Sequence, residues 1–155
     1  MKRIILLAAF LLPILFYTFI VVSNNAVAGR LERALLRCQL PPEAELLDSI
    51  SVAGKTDGNG NGMQYAGYIL LRCDLDQAAL QAWYDSRLES GQLSPGEDVW
   101  VERQEQPVID EYHNIRFRRF DENATCYRVV LCKEIVAGFE RSLWESLLNC
   151  DIRGH

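Results

Sequence analysis

The first 28 residues contain no Asp or Glu, and their only basic residues are Lys2 and Arg3. The chain also lacks C-x-x-C, G-x-S-x-G and H-E-x-x-H. The first absence removes the usual signal for a thioredoxin-like redox site or a zinc ribbon. The other two remove the common signatures of a nucleophile-elbow hydrolase and a zinc protease. A net basic surface is missing as well. Outside the first 28 residues there are 14 Lys+Arg (16 minus 2) against all 21 Asp+Glu, a net charge of −7. This argues against a nucleic-acid partner, whose phosphates need a basic surface to neutralise them.

What is present is an apolar head on an acidic body. The 155 residues leave room for one domain, and 49% apolar with 24% charged residues is an ordinary globular composition. Ile4 to Val22 is apolar except for Pro13 and Thr18. As a helix its 19 residues reach about 28 Å, close to the ~30 Å hydrocarbon core of a bilayer. A single segment crossing lipid must satisfy its own backbone, which requires a helix, and Pro13 is tolerated there as a kink. The partner expected of this segment is the lipid bilayer.

Two fates compete for the head. Ala26-Val27-Ala28 before Gly29 fits the small-residue rule for signal-peptide cleavage. The apolar core is long for a signal, which favours a retained anchor. Lys2 and Arg3 favour a cytoplasmic N-terminus, whereas Arg30, Arg33 and Arg37 pull the other way. Long domains translocate largely regardless of charge. The expected topology is therefore N-terminus inside and domain outside, with secretion after cleavage at Ala28-Gly29 as the alternative. The expected divisions are 1–28 as anchor or signal, 29–42 as a juxtamembrane helix and linker with Leu31, Leu35 and Cys38 on one stripe, and 43–155 as an extracytoplasmic domain.

The body reads as α+β. Residues 45–53 and 63–73 form a hairpin around the Gly/Asn-rich loop 55–62. In the second strand Met63, Tyr65, Ile69, Leu71 and Cys73 share a face, and Gly67 marks a bulge or a close approach. Asp74 as N-cap and Gln77 three residues later suggest a capping box for a helix over 75–90. Trp83 with Leu80 and Leu88 is expected on its sheet-facing side. Residues 99–103, 114–120 and 126–134 read as further strands. The last segment carries Phe139, Leu143, Trp144, Leu147 and Leu148 and forms a short helix or an anchored loop. The order β-β-α-β-β-β implies an antiparallel sheet with one helix packed on a face.

The five cysteines are Cys38, Cys73, Cys126, Cys132 and Cys150. Cys126 and Cys132 are separated by ~20 Å on one strand face, too far for a mutual disulfide. Cysteine is expected mainly as a small buried hydrophobe, with one or two disulfides as the alternative in an exported domain.

Candidate sites are few. Asp57, Asn59 and Asn61 with Gly62 match the opening of a calcium loop, D-x-N-x-N-G, but the twelfth position is Tyr68 where a bidentate Glu belongs. The loop is better read as a hairpin turn. Arg116, Arg118 and Arg119 form the densest basic cluster of the body, suited to an anion or a partner protein. The competing reading pairs them with acids such as Glu102 or Glu105. His113 lies beside Asp110, Glu111 and Tyr112 and would serve as a base only if a nucleophile or metal were brought to it. Asn123-Ala124-Thr125 is a glycosylation sequon. No catalytic residue and no cofactor is assigned.

The stretch LLDSISVAGKTDGNGNGMQYAGYILLRCDL (46–75) and the ending Asp151-Ile152-Arg153-Gly154-His155 resemble a group of small bacterial membrane-anchored proteins without an assigned activity. The resemblance implies an anchor-plus-domain layout and supplies no catalytic residues. The function expected from all of this is a non-enzymatic binding or accessory protein of the cell envelope, with an exposed aromatic patch near Trp100 or Trp144. The alternatives are an anchored or secreted hydrolase, and a calcium- or ligand-sensing module using the 57–62 loop.

Overall fold

The computed structural model describes residues 2–55, 62–110, 114–136, 139 and 141–153, with the side chains of 2–6 and 8 excepted. The chain runs as α1 (Lys2–Arg37), β1 (Glu45–Gly54), β2 (Gly62–Arg72), α2 (Gln77–Glu89), β3 (Asp98–Gln104), β4 (Val108–Asp110), β5 (Ile115–Arg116), β6 (Cys126–Val136) and α3 (Leu143–Leu148). The fold is α+β.

Helix α1 is 36 residues long, with Pro13 inside it. Its length follows from a composition dominated by Leu, Ala, Ile and other helix-compatible residues, with no glycine before Gly29. The expected anchor and the expected juxtamembrane helix are thus one unbroken element. Its first half is bare: Phe10, Leu12, Leu15 and Phe19 are exposed. From Ile20 onward a buried stripe appears, Ile20, Asn24, Val27, Leu31, Leu35 and Cys38, at the three-and-four spacing of one helix face. That stripe packs on β1 and β2.

Four strands form an antiparallel sheet in the order β1-β2-β6-β3. β6 lies between β2 and β3, so the path β2-α2-β3 is a crossover with β6 threaded through its middle. Helices α1 and α2 cover one face. Met63, Tyr65, Ile69, Leu71, Val129, Leu131, Leu80 and Tyr84 fill that interface and are all fully buried. The alternation expected along β2 holds. Gly67 has a definite reason for being glycine. A Cβ there would sit 2.3 Å from the Glu32 backbone nitrogen and 2.6 Å from the Leu31 carbonyl carbon. It is the point where α1 lies directly on the strand. The ladder through Gly67 is regular, so the close approach applies and the bulge does not.

Several local expectations are corrected. The N-cap of α2 is Asp76, whose carboxylate accepts from Ala79 N at 2.8 Å, and not Asp74. The buried residues of α2 are Leu80 and Tyr84. Trp83 and Leu88 pack against the same core as expected but are only half-buried. Trp83 Nε1 donates to Gln39 O at 3.2 Å and its ring lies beneath the Arg87 guanidinium. Residues 114–120 do not form a sheet strand. Only Ile115–Arg116 is extended, and it pairs with β4 in a separate two-stranded ribbon. Asp48 explains this. Its carboxylate takes the amides of both Arg118 and Arg119, at 2.5 and 3.1 Å, donors that a strand would spend on a ladder. Phe117 then turns inward and joins Leu70 and Cys126 in a second, smaller core on the outer face of the sheet.

Candidate functional site: the helix junction and the outer groove

Two places gather polar or aromatic groups with defined geometry. The first is the junction where α1 leaves its bare half. Asn24 is fully buried. Its amide donates to Leu148 O at 3.0 Å and to Asp151 Oδ2 at 2.8 Å, and its Oδ1 accepts from the Tyr65 hydroxyl at 2.8 Å. Asp151, also fully buried, is forked by Arg153, with Nε at 3.0 Å from both oxygens and Nη2 at 2.6 Å from Oδ2. Tyr17 OH adds a long contact to Asp151 Oδ1 at 3.4 Å. Arg153 reaches on to Asn25 Oδ1 at 2.8 Å, and Asn149 Oδ1 accepts from Met63 N at 2.9 Å.

The electrostatics follow from this arrangement. Burial by itself would push the Asp151 carboxyl up. Hydrogen bonds from Arg153 and Asn24 outweigh it and hold the group below its ordinary value. Burial, followed by the nearby Asp151 charge, pushes the Tyr65 phenol well above its ordinary value, so it stays a donor. The network joins a helix turn, a central strand and the chain's last described residues. The Asp151-Ile152-Arg153 ending has no role that can be read from the sequence by itself. The signal that does exist is Asn24 on the same helix stripe as apolar Ile20, Val27, Leu31 and Leu35, a polar group that needs a partner once buried.

The second place is a groove of about 400 Å³ on the outer face of the sheet. The register aligns Tyr68, Val130 and Trp100 in one row across three strands, with Arg128 and Glu102 in the next. Arg128 and Glu102 form an ion pair. Ile109 of β4 and Ile115 of β5 make the opposing wall. Trp100 keeps 39% of its surface exposed. The groove therefore offers aromatic and aliphatic surface beside fixed charges, a combination suited to holding a partner.

The arginine cluster is placed differently from expectation. Arg116, Arg118 and Arg119 are all exposed. Arg116 donates to Asn114. Arg116 and Arg118 line a cleft of about 290 Å³ at the edge of β1, together with Asp48 and Glu32. The acids facing them are thus Asp48 and Glu32, while Glu102 belongs to Arg128. His113 and the calcium-loop positions Asp57, Asn59 and Asn61 lie outside the described residues. Among the described residues no cluster of three His, Cys, Asp or Glu side chains is arranged to hold a metal.

No family model, no curated protein and no solved structure matches the chain. Its functional reading therefore rests on its own geometry. By length and composition α1 can span a membrane, as a single-pass anchor or as a signal segment. Only 17% of its apolar window is buried, unlike the core helix of a soluble protein. All five cysteines are free thiols. Cys38, Cys73 and Cys126 are buried, and Cys132 is pushed up to about 11, first by burial and then by Asp98. A thiol so placed is a packing group and a poor nucleophile.

Proposed function

We propose that this chain is a retained single-pass membrane protein whose α+β domain stands outside the cytoplasm and serves as a binding or accessory module for another envelope protein. One observation carries the reading: the same helix is bare and apolar at one end and part of the domain core at the other. Cleavage after Ala28 would remove Asn24, Val27 and Ala28, all buried, together with the Asn24 hydrogen bonds to Tyr65, Leu148 and Asp151. Such a loss removes packing and leaves buried polar groups without partners, a combination that costs several kcal/mol. Retention is the favourable fate. Lys2 and Arg3 ahead of the span support the outward domain. The resemblance to small membrane-anchored bacterial proteins is in keeping with this layout.

The outer groove is the surface we assign to the partner. Trp100 and Tyr68 provide the rigid, half-exposed rings that concentrate binding energy at protein interfaces. The test is protease shaving of intact cells carrying tags at both ends, combined with a photo-crosslinker at position 100. Loss of the C-terminal tag alone, with one reproducible crosslinked membrane or envelope protein, supports the reading. Protection of that tag places the domain in the cytoplasm and contradicts it. Crosslinks that do not recur would argue against the groove.

A further inference from the structure

Beyond the partner groove, the exposed apolar surface of the domain is unevenly placed. Of the large apolar side chains exposed outside α1, Val136, Phe139, Leu143, Trp144 and Ile152 all fall between the end of β6 and the last described residues. Phe139 and Leu143 are more than four-fifths exposed, at 82% and 86%. The fold puts these five residues at one end of the domain. β6 finishes beside the start of β2, where Gly62 pairs with Val136. That is also the end at which Tyr65 meets Asn24, two residues beyond the apolar stretch.

Contact with the span itself is direct. The Trp144 ring stands edge-on to Phe19, with centroids 5.8 Å apart and planes at 66°. Phe19 lies inside the Ile4–Val22 stretch, three residues before its end, or about 5 Å along the helix. Helices or side chains lying in a membrane interface reach roughly 5–10 Å into the headgroup and acyl boundary. Tryptophan is the residue favoured at that level, being apolar in body and a donor at its edge. The Asp151–Arg153 pair lies level with Val21 to Asn25. The Arg153 guanidinium is held there by Asp151, Asn25 Oδ1 and Val21 O, so the pair closes the polar side of this end as a neutralised unit.

We propose that the segment after β6 is a second membrane contact, a lipid-seated foot in which Phe139, Leu143, Trp144 and Ile152 rest in the bilayer interface beside the span. The foot rests on the anchor reading above. It fixes the domain's orientation on the membrane, because the span and the foot touch lipid at two points of one packed body. The outer groove then faces a set direction and does not swing on a linker.

The test is depth-resolved quenching by brominated lipids in vesicles of phosphatidylcholine and phosphatidylglycerol. The full chain carries Trp83→Phe and Trp100→Phe, leaving Trp144. A companion carries Trp83→Phe and Trp144→Phe, leaving Trp100. Flotation reads anchoring separately from seating. The foot predicts that Trp144 is quenched at least twofold by bromines near the top of the acyl chain, and that Trp100 is not. Phe139→Ser with Leu143→Ser, both at exposed positions, should roughly halve the Trp144 quenching without affecting flotation. A chain that floats but leaves Trp144 no more quenched than Trp100 overturns the foot alone. Shielding of Trp144 by a second copy, seen as a blue-shifted but unquenched emission, overturns it equally. A chain that fails to float overturns the anchor reading and the foot with it.

Discussion

Two buried tyrosines on the same core face have opposite dependence on their hydroxyls. Tyr65 donates to Asn24 Oδ1 at 2.8 Å, whereas the Tyr84 hydroxyl is buried with no hydrogen-bond partner among the described residues. Removing the first leaves a buried acceptor short of its donor. Removing the second relieves an unmet polar group. Tyr65→Phe should therefore destabilise the domain by about 1–3 kcal/mol, while Tyr84→Phe should be neutral or stabilising. Urea unfolding of the detergent-solubilised chain, followed by tryptophan emission, measures both. Equal losses would show that the Tyr84 hydroxyl has a partner after all. Asp151 sets the acid side. Its carboxyl is held below the ordinary aspartate value. Its stabilising contribution is therefore fully present above that ordinary value and is lost as pH falls through the lower folded one. Asp151→Asn should remove this part of the acid dependence, visible as a flatter stability curve below about pH 4. The residue scale is partly legible in the sequence. Burial of the Met63–Cys73 face follows from period-two patterning, whereas the cysteines divide into buried Cys38, Cys73 and Cys126, half-buried Cys132 and exposed Cys150. The Asn24–Asp151 pair spans 127 residues, and nothing local in the chain announces it.

Among the elements, the contact between α1 and β2 is the one most sensitive to a single atom. At Gly67 any Cβ meets helix backbone at 2.3 Å, and backbone cannot rotate away as a side chain can. Gly67→Ala should cost about 1–3 kcal/mol through overpacking. At Gly29 the nearest atom to a new Cβ is the flexible Arg33 guanidinium, at 3.2 Å. Gly29→Ala should be neutral or gain up to about 1 kcal/mol from helix propensity. Thermal melts of the two variants side by side check the contrast. A similar loss at both would mean that helix and strand are not in the contact described. The hairpin, helix α2 and strand β6 are readable from alternation and polar punctuation. Glycine placement marks Gly67 as a bulge or a close approach, and the helix backbone over it decides for the second. Residues 114–120 mislead because Ile115 and Phe117 alternate with arginines as a strand would. Long-range capture of two amides by Asp48 overrides that pattern. The α2 cap lies two residues later than expected because Asp74 and Asp76 both suit an N-cap, and only Asp76 turns its carboxylate to Ala79.

At the scale of the whole molecule, the division between anchor and domain seen in the composition does not coincide with a division in structure. Composition changes near residue 28. The buried stripe begins at Ile20, and the last described residues fold back onto that same turn. The apolar helix, the sheet and the last described residues are therefore one packed body, and the small-residue triplet 26–28 lies within its core helix. The most direct measurement of retention is the intact mass of the chain recovered from membranes of an expressing cell. Retention predicts a single species near the full 17.7 kDa, still carrying the residues before Gly29. A mature species beginning at Gly29 would contradict it, since that chain lacks Asn24, Val27 and Ala28 and with them the junction that binds the span to the domain.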